Sequence, residues 1–150
     1  MLVTEINTPP SVRTPMSDRF SVVDPSEIET EPFNTCETAV RKLTEPLGAT
    51  DLRVNQVIVD PGEVTTPHTH EPDGDNPGQE EVFVAMTDGQ IAIEGAVHDI
   101  AAGSVVRVRP DIERNLLNRT DDATHVWLAF GAPPVGTVDD FGSYVVGTGE

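Results

Sequence analysis

Two histidines one residue apart are the first feature of this sequence that could do chemistry. His68 and His70 stand in the run Pro67-His68-Thr69-His70. On a β-strand, residues i and i+2 point to the same side, so both imidazoles face one way and Thr69 faces the other. Two imidazoles at this spacing can hold one metal ion. The pair alone is a weak indication, because histidines at a surface or at the edge of a core are common.

A carboxylate on the next apolar run would complete a metal site. Glu80 and Glu81 begin that run, after a loop over residues 71–79. Strand alternation places Glu81 on one face with Phe83 and Ala85, while Glu80 faces away. Two histidines and one carboxylate that leave coordination positions open suit zinc, iron, manganese or nickel.

The elements that must position these residues are short β-strands. Runs rich in Val and Ile alternate with Gly, Pro and Asp about every 8–12 residues, which predicts an all-β sandwich or barrel. Eight such runs follow residue 51: Leu52–Val59, Val64–His70, Glu81–Thr87, Gln90–Glu94, Val97–Ile100, Ser104–Val108, Arg114–Asn118 and Thr124–Phe130. Two earlier runs, Phe20–Val23 and Glu37–Leu43, are weaker strand candidates, and the second could equally form a helical turn.

This arrangement resembles the cupin family over roughly residues 50–130. The first cupin motif, Gly-x5-His-x-His-x(3,4)-Glu-x6-Gly, is matched by Gly62, His68, His70, Glu81 and Gly89, with Glu81 fitting better than Glu80. The second motif, Gly-x5-Pro-x-Gly-x2-His-x3-Asn, is matched in register by Gly103 and Asn118, and a hairpin turning at residues 94–96 fits between the two motifs. The resemblance implies an antiparallel double-stranded β-helix, the jelly-roll barrel of cupins, and a divalent metal site at His68, His70 and Glu81.

Arg114 departs from the family pattern, because it stands where the resemblance implies a third histidine. Arginine has no lone pair to give a metal. In one interpretation His68, His70 and Glu81 hold the metal with water, and Arg114 binds a carboxylate or phosphate of the substrate. In the other, the metal site has decayed and the cavity is a plain pocket or has no role. His125 is either a replacement ligand or a strand-end histidine in solvent.

Three functions remain open on this basis. The first is a metal-dependent enzyme acting on a small, anionic molecule, such as a dioxygenase or an isomerase. The second is a binding module without catalysis, and the third is a structural cupin with a decayed metal site. The fold alone cannot choose among them, because one fold hosts many chemistries. The loop at residues 71–79 is longer than the family pattern and is interpreted as a solvated loop or a lid.

The net charge of the chain limits the classes of partner that it can bind and indicates the environment in which it works. The 150 residues carry 26 acidic and 9 basic side chains, a formal net charge of −17, which argues against nucleic acid and against a membrane surface. Scattered carboxylates with few lysines are typical of halophiles that accumulate salt, because concentrated salt screens self-repulsion. The alternative is an acidic mesophilic protein with a solvated surface. The single cysteine, Cys36, and the lack of a recognisable signal peptide predict a cytoplasmic protein.

The predicted domain organisation is one barrel with two extensions. Residues 1–34 contain five prolines and are expected to form an extended arm, residues 35–131 the barrel, and residues 132–150 a tail that is mostly loop. Val145-Val146 is the one candidate edge contact within that tail. A homodimer is expected, with the arm covering an exposed strand edge.

Overall fold

Short antiparallel strands make up most of the structure, a computed structural model that describes residues 19–33, 36–75, 77–134 and 145–146. The only helical segments in these ranges are a 3-10 turn at Pro25–Glu27 and a short helix, α1, at Thr44–Leu47. The strands are β1 (Glu31–Pro32), β2 (Ala39–Lys42), β3 (Arg53–Val59), β4 (His68–Thr69), β5 (Glu80–Ala85), β6 (Gly89–Ile93), β7 (Ala96–Ile100), β8 (Val105–Val108), β9 (Arg114–Leu117), β10 (His125–Ala132) and β11 (Val145–Val146). None of the helices in the described ranges is long and apolar enough to cross a membrane.

The strands form two sheets, and all of their pairings are antiparallel. One sheet has the order β1-β2-β3-β10-β5-β8, and the other has the order β11-β4-β9-β6-β7. Strands that are distant in the chain lie side by side, as where β10 lies between β3 and β5. The predicted all-β, double-stranded β-helix is confirmed.

Each of the eight predicted runs contains a strand, although some boundaries differ. The run Val64–His70 forms a strand only at His68–Thr69, with an isolated bridge from Val64 to Leu117. Pro67 interrupts the ladder because it has no backbone N–H to donate. Of the two weaker candidates, Glu37–Leu43 contains β2, whereas no strand forms over Phe20–Val23.

The core lies between the sheets and is built from inward-facing residues of both. Trp127 is fully buried near its centre, with its ring 6.0 Å from that of Phe83 in an edge-to-face arrangement. Gly89 makes room for this indole, since a Cβ there would lie 2.5 Å from Trp127 Cζ2. The other core members are mostly β-branched or small: Val40, Val57, Val59, Ala85, Ile91, Val108, Leu116 and Ala129.

Two local devices hold the strands in register. The β6–β7 hairpin turns at Glu94 and Gly95, both with positive φ, as a two-residue type I′ turn requires. Asn118 is buried after β9, and its Nδ2 donates to the carbonyls of Val59 and Ala123. The family-motif residue Asn118 therefore braces the barrel and does not line its cavity.

The described ends of the chain both add strand pairing. Glu31–Pro32, within the predicted arm, pairs with β2. Val145–Val146 pairs with β4 at one edge of the second sheet, where the edge contact was predicted. Most of the predicted arm, residues 1–18, lies outside the described residues, and so do residues 135–144 and 147–150 of the predicted tail. The boundaries at 34 and 131 stay predictions.

Candidate metal centre

A cavity of about 40 Å³ opens between the two sheets. Both candidate histidines and the candidate glutamate line it, together with Arg114. The remaining walls are largely apolar, and they include Phe33, Val57, Phe83, Leu116 and Ala129.

Three strands position the polar end of this cavity. His68 lies in β4 directly opposite Arg114 in β9. His70 follows β4, where its backbone N–H donates to the carbonyl of Pro110. Glu81 enters from β5 in the other sheet. The imidazoles of His68 and His70 have centroids 4.8 Å apart and are nearly perpendicular.

The spacing of the donor atoms fits a metal ion. One ligand atom from each of His68, His70 and Glu81 lies within 4.8 Å of the other two. His70 Nε2 and Glu81 Oε1 are 3.4 Å apart. Two ligands at ~2.1 Å from a tetrahedral ion lie ~3.4 Å apart, and no two can exceed ~4.2 Å. The three residues can therefore hold a divalent ion once their farthest ligand atoms approach by up to ~1.4 Å, from 4.8 Å to tetrahedral spacing.

His68 presents the correct nitrogen for a metal. Its Nδ1 lies 2.8 Å from the carbonyl oxygen of Thr66. Because that oxygen can only accept, Nδ1 carries the proton, and Nε2 has the lone pair with which a histidine binds a metal. A backbone carbonyl that fixes the second ring nitrogen is the usual support of a histidine ligand.

The protonation states of the site also suit a metal. Burial lowers the pKa of His68 to about 3, reinforced by the charge of neighbouring His70, so its ring is neutral at pH 7. Burial acts to raise the pKa of Glu81, but the charge and hydrogen bond of His70 and the charge of Arg114 outweigh it and hold that pKa at about 2. The site thus offers a neutral imidazole and an ionised carboxylate.

Arg114 is fully buried and paired at the cavity wall. Its Nη1 donates to Glu81 Oε1 over 2.7 Å, its Nε to the carbonyl of Ile112, and its Nη2 to the carbonyl of Arg109. Burial lowers the pKa of Arg114, opposed mainly by the Glu81 carboxylate. The side chain predicted to bind substrate therefore lines the cavity while it holds Glu81.

Other candidate residues lie away from the cavity. Glu80 is exposed and pairs with Arg107 of β8 over 3.1 Å. Arg109, just after β8, pairs with Asp111. Both arginines therefore contact acidic side chains instead of pointing into the barrel. No described residue of the loop at 71–79 lines the cavity.

The expectation that His125 is a strand-end histidine in solvent is wrong. Its exposure is 3%, because it opens β10 on the inward face opposite Val59. It is not among the residues around the cavity, so it is not placed to replace a ligand there.

The cavity residues that were missed from the sequence include Phe33 and the polar residues Asn55, Thr65 and Asn115. Phe33 and Thr65 lie outside regular strands, where no side-chain periodicity predicts a direction. Asn55 carried a usable signal, since it alternates with Val57 and Val59 on the inward face of β3. A polar residue in such a row indicates a polar site inside the barrel.

Structural comparison places this architecture among known folds. No protein-family model matches the chain, and no curated protein matches it in sequence. A sugar phosphate isomerase from a cupin superfamily, from Silicibacter pomeroyi, aligns with a TM-score of 0.60 and 20% identity, over 74% of each chain. A Klebsiella pneumoniae protein with a double-stranded β-helix domain gives a TM-score of 0.62 and 16% identity, over 87% of this chain and 97% of that one. A Cupin 2 conserved barrel domain protein from Salinispora arenicola gives 0.56 and 20%, over 79% and 89%. The chain has the double-stranded β-helix fold of the cupins.

Proposed function

We propose that this protein is a metal-binding cupin that acts on a small, anionic molecule as a metal-dependent enzyme. The observation that carries the proposal is the convergence of His68, His70 and Glu81 on one cavity at ligand spacing. Their protonation states support it, because the two ligands with a shifted pKa are already in the form that binds a metal at pH 7.

When bound, a divalent ion would supply Lewis-acid chemistry on a substrate oxygen, or activation of water or O2. The residues around it have separate tasks. His68 and His70 bind from one sheet and Glu81 from the other, which fixes the two sheets to one centre. Arg114 orients the Glu81 carboxylate, and the apolar walls limit the access of bulk water.

The charges of the site favour an anionic ligand. Histidine ligands are neutral, and the charges of Glu81 and Arg114 cancel. With a divalent ion bound, the cavity carries a net charge of about +2, in surroundings of low dielectric constant. A carboxylate or phosphate would offset this charge, and the small cavity favours a compact molecule.

The chemistry within this class divides into isomerisation and dioxygenation. One structure of similar fold is named a sugar phosphate isomerase, which makes isomerisation of a compact oxygenated substrate one arm of the proposal. Dioxygenation is the other. An oxygen electrode separates the arms, because only a dioxygenase loaded with iron consumes O2 as substrate turns over.

The Arg114–Glu81 ion pair favours a second candidate function, a binding protein without catalysis. The pair already balances the buried carboxylate with a fixed cation at 2.7 Å, so the cavity is electrically neutral without a metal. A site of that kind could bind a small neutral or polar molecule and leave it unchanged.

Metal content decides between the two candidates. Untagged protein, purified in high salt without chelator, is measured by elemental mass spectrometry beside H68A, E81Q and E80Q. We expect about one divalent ion per chain in the native protein and in E80Q, because Glu80 faces solvent. H68A and E81Q are expected to lose it. Absence of metal from the native protein, even after incubation with zinc, iron, manganese and nickel, would reject the metal-dependent enzyme and favour the binding protein.

A further inference from the structure

Asn55 carries a buried hydrogen-bond acceptor that nothing in the described protein satisfies. The residue lies in β3 with an exposure of 5%, and its side chain borders the cavity. Its Oδ1 has no hydrogen-bond partner among the described residues. A buried acceptor without a partner is destabilising. An unpaired acceptor at a cavity wall therefore indicates a role in function and not in folding.

Two other polar side chains of this wall are satisfied. Thr65 Oγ1 donates to the carbonyl of Leu116 at 3.2 Å and accepts from its N–H at 2.9 Å. Arg114 places a donor on each of three oxygens, as described above. Among the described residues of the cavity wall, Asn55 carries the buried side-chain oxygen that has no partner.

The strand register places Asn55 in the same sheet as Glu81, two strands away from it. Asn55 pairs with Ala129 in β10, and Ala129 pairs with Phe83 in β5. Glu81 lies two residues before Phe83, on the same inward face. Asn55 and Glu81 are thus two strands and two residues apart, with the small side chain of Ala129 between them. A compact ligand can span this distance over an apolar floor.

We propose that Asn55 is a ligand-binding residue whose Oδ1 accepts a hydrogen bond from the hydroxyl group of a small hydroxy acid. The carboxylate of that acid binds at the opposite, metal-bearing end, a part of the assignment that rests on the proposed function. The small cavity favours a compact ligand with a short carbon chain. The apolar walls contact the carbon chain. Asn55 makes the site specific for a ligand with a hydroxyl group, because a deoxy analogue leaves the acceptor unpaired.

The test compares 3-hydroxypropionate with propionate, which differ by the one hydroxyl. Binding of each to zinc-loaded protein is measured by titration calorimetry for the native protein, N55L and Q56L. N55L keeps the number and branching of the side-chain heavy atoms and removes the acceptor. Q56L is the matched control, since Gln56 is the next residue of β3 and bonds to Arg41 outside the cavity. We expect the native protein and Q56L to prefer the hydroxy acid by ~5-fold or more, and N55L to lose that preference.

A preference that is unchanged in N55L would overturn the proposal. Melting temperature gives a second criterion: N55L should melt at or above the native temperature, and a fall of more than ~4 °C would assign Asn55 a structural role instead. N55A takes the place of N55L if the leucine variant does not fold.

Metal content is measured on the same samples. If none holds zinc, the proposed function fails, and the two acids are titrated into metal-free protein. If the metal-free native protein prefers the hydroxy acid and N55L does not, the result still supports the role of Asn55. If N55L keeps the preference, the proposal is overturned.

Discussion

Arg114 donates from Nη1 to Oε1 of Glu81 across 2.7 Å, and the same carboxylate oxygen lies 3.4 Å from Nε2 of His70. A metal ion bound by His70 and Glu81 would therefore share its oxygen ligand with a fixed cation. The guanidinium draws electron density from that oxygen and repels the ion. The expected result is a metal site that is weaker than one with a third imidazole and more strongly Lewis acidic.

Replacing Arg114 by histidine should strengthen metal binding. R114H removes the buried cation and places an imidazole opposite His68 in the β4–β9 pair. We expect zinc affinity to rise by at least tenfold, about 1.4 kcal/mol, as measured by competition with a chromophoric chelator. R109H is the control, because the Arg109 side chain is exposed. An R114H affinity equal to or below the native value would show that Arg114 does not weaken the site.

Breaking the buried ion pair should cost much more stability than breaking an exposed one. R114M leaves the Glu81 carboxylate without its guanidinium partner, and we expect a loss of about 3–5 kcal/mol in the free energy of unfolding. R107M breaks the exposed pair with Glu80 and should cost under ~1 kcal/mol. Urea unfolding of metal-free protein measures both.

The double variant R114M/E81Q tests whether the cost comes from the pair itself. If it does, the double variant should lose ~1–3 kcal/mol less than the sum of the two single variants. Additive losses would mean instead that the bonds from Arg114 to the carbonyls of Ile112 and Arg109 carry its contribution.

Sequence alone predicted the strands and the inward direction of the three candidate ligands. Both depend on the same local rule, the alternation of side chains along a strand, and His68, His70 and Glu81 are close to strand ends where few alternatives exist. The partner of Arg114 could not be predicted in this way. Its pairing with Glu81 joins residues 33 positions apart in different sheets, and only the packing of those sheets brings them together.

His125 and Asn55 show a related limit. His125 was expected in solvent because it opens a strand, yet the inward face of β10 begins at that residue. Asn55 looked like one polar residue within an apolar run, and whether its amide would find a partner depends on strands β10 and β5. Periodicity gives the face of a residue, but hydrogen-bond satisfaction is a property of the neighbours.

Acid should destabilise the metal-free protein, in part through His68. The pKa of His68 is about 3 in the folded chain against 6.5 for the free side chain, so the unfolded chain binds more protons between these values. Stability is therefore complete above pH 6.5 and falls as the pH drops toward 3. Glu81, with a pKa of about 2 against 4.5, adds a loss below pH 4.5.

The variant H68Q isolates this contribution. Between pH 7 and pH 5, with chelator present, the native protein should lose ~1–2 kcal/mol more than H68Q in urea unfolding. H98Q, which replaces an exposed histidine of β7, should behave as the native protein does. The same pH dependence in H68Q and native protein would show that the His68 ring is not held neutral by its surroundings.

Salt should stabilise the chain through screening of its net charge of −17. Raising KCl from 0.1 M to 1 M shortens the Debye length from ~10 Å to ~3 Å, and we expect the melting temperature to rise by ~5 °C or more. A variant with four exposed acids neutralised, D73N/D75N/D121N/D122N, should show a smaller rise. An equal rise in both proteins would assign the effect to salting-out of apolar surface and would count against the halophile interpretation.

Trp127 gives the protein a built-in optical probe. It is the single tryptophan of the chain, it is fully buried, and its ring contacts Phe83, which forms part of the cavity wall. Indole emission from the whole protein therefore arises from one side chain in one environment. A quenching ion such as Co²⁺, Fe²⁺ or Cu²⁺ that binds at the metal centre would quench the fluorescence of this one indole. Occupancy of the cavity can therefore be followed in unlabelled protein, in any salt concentration and in real time.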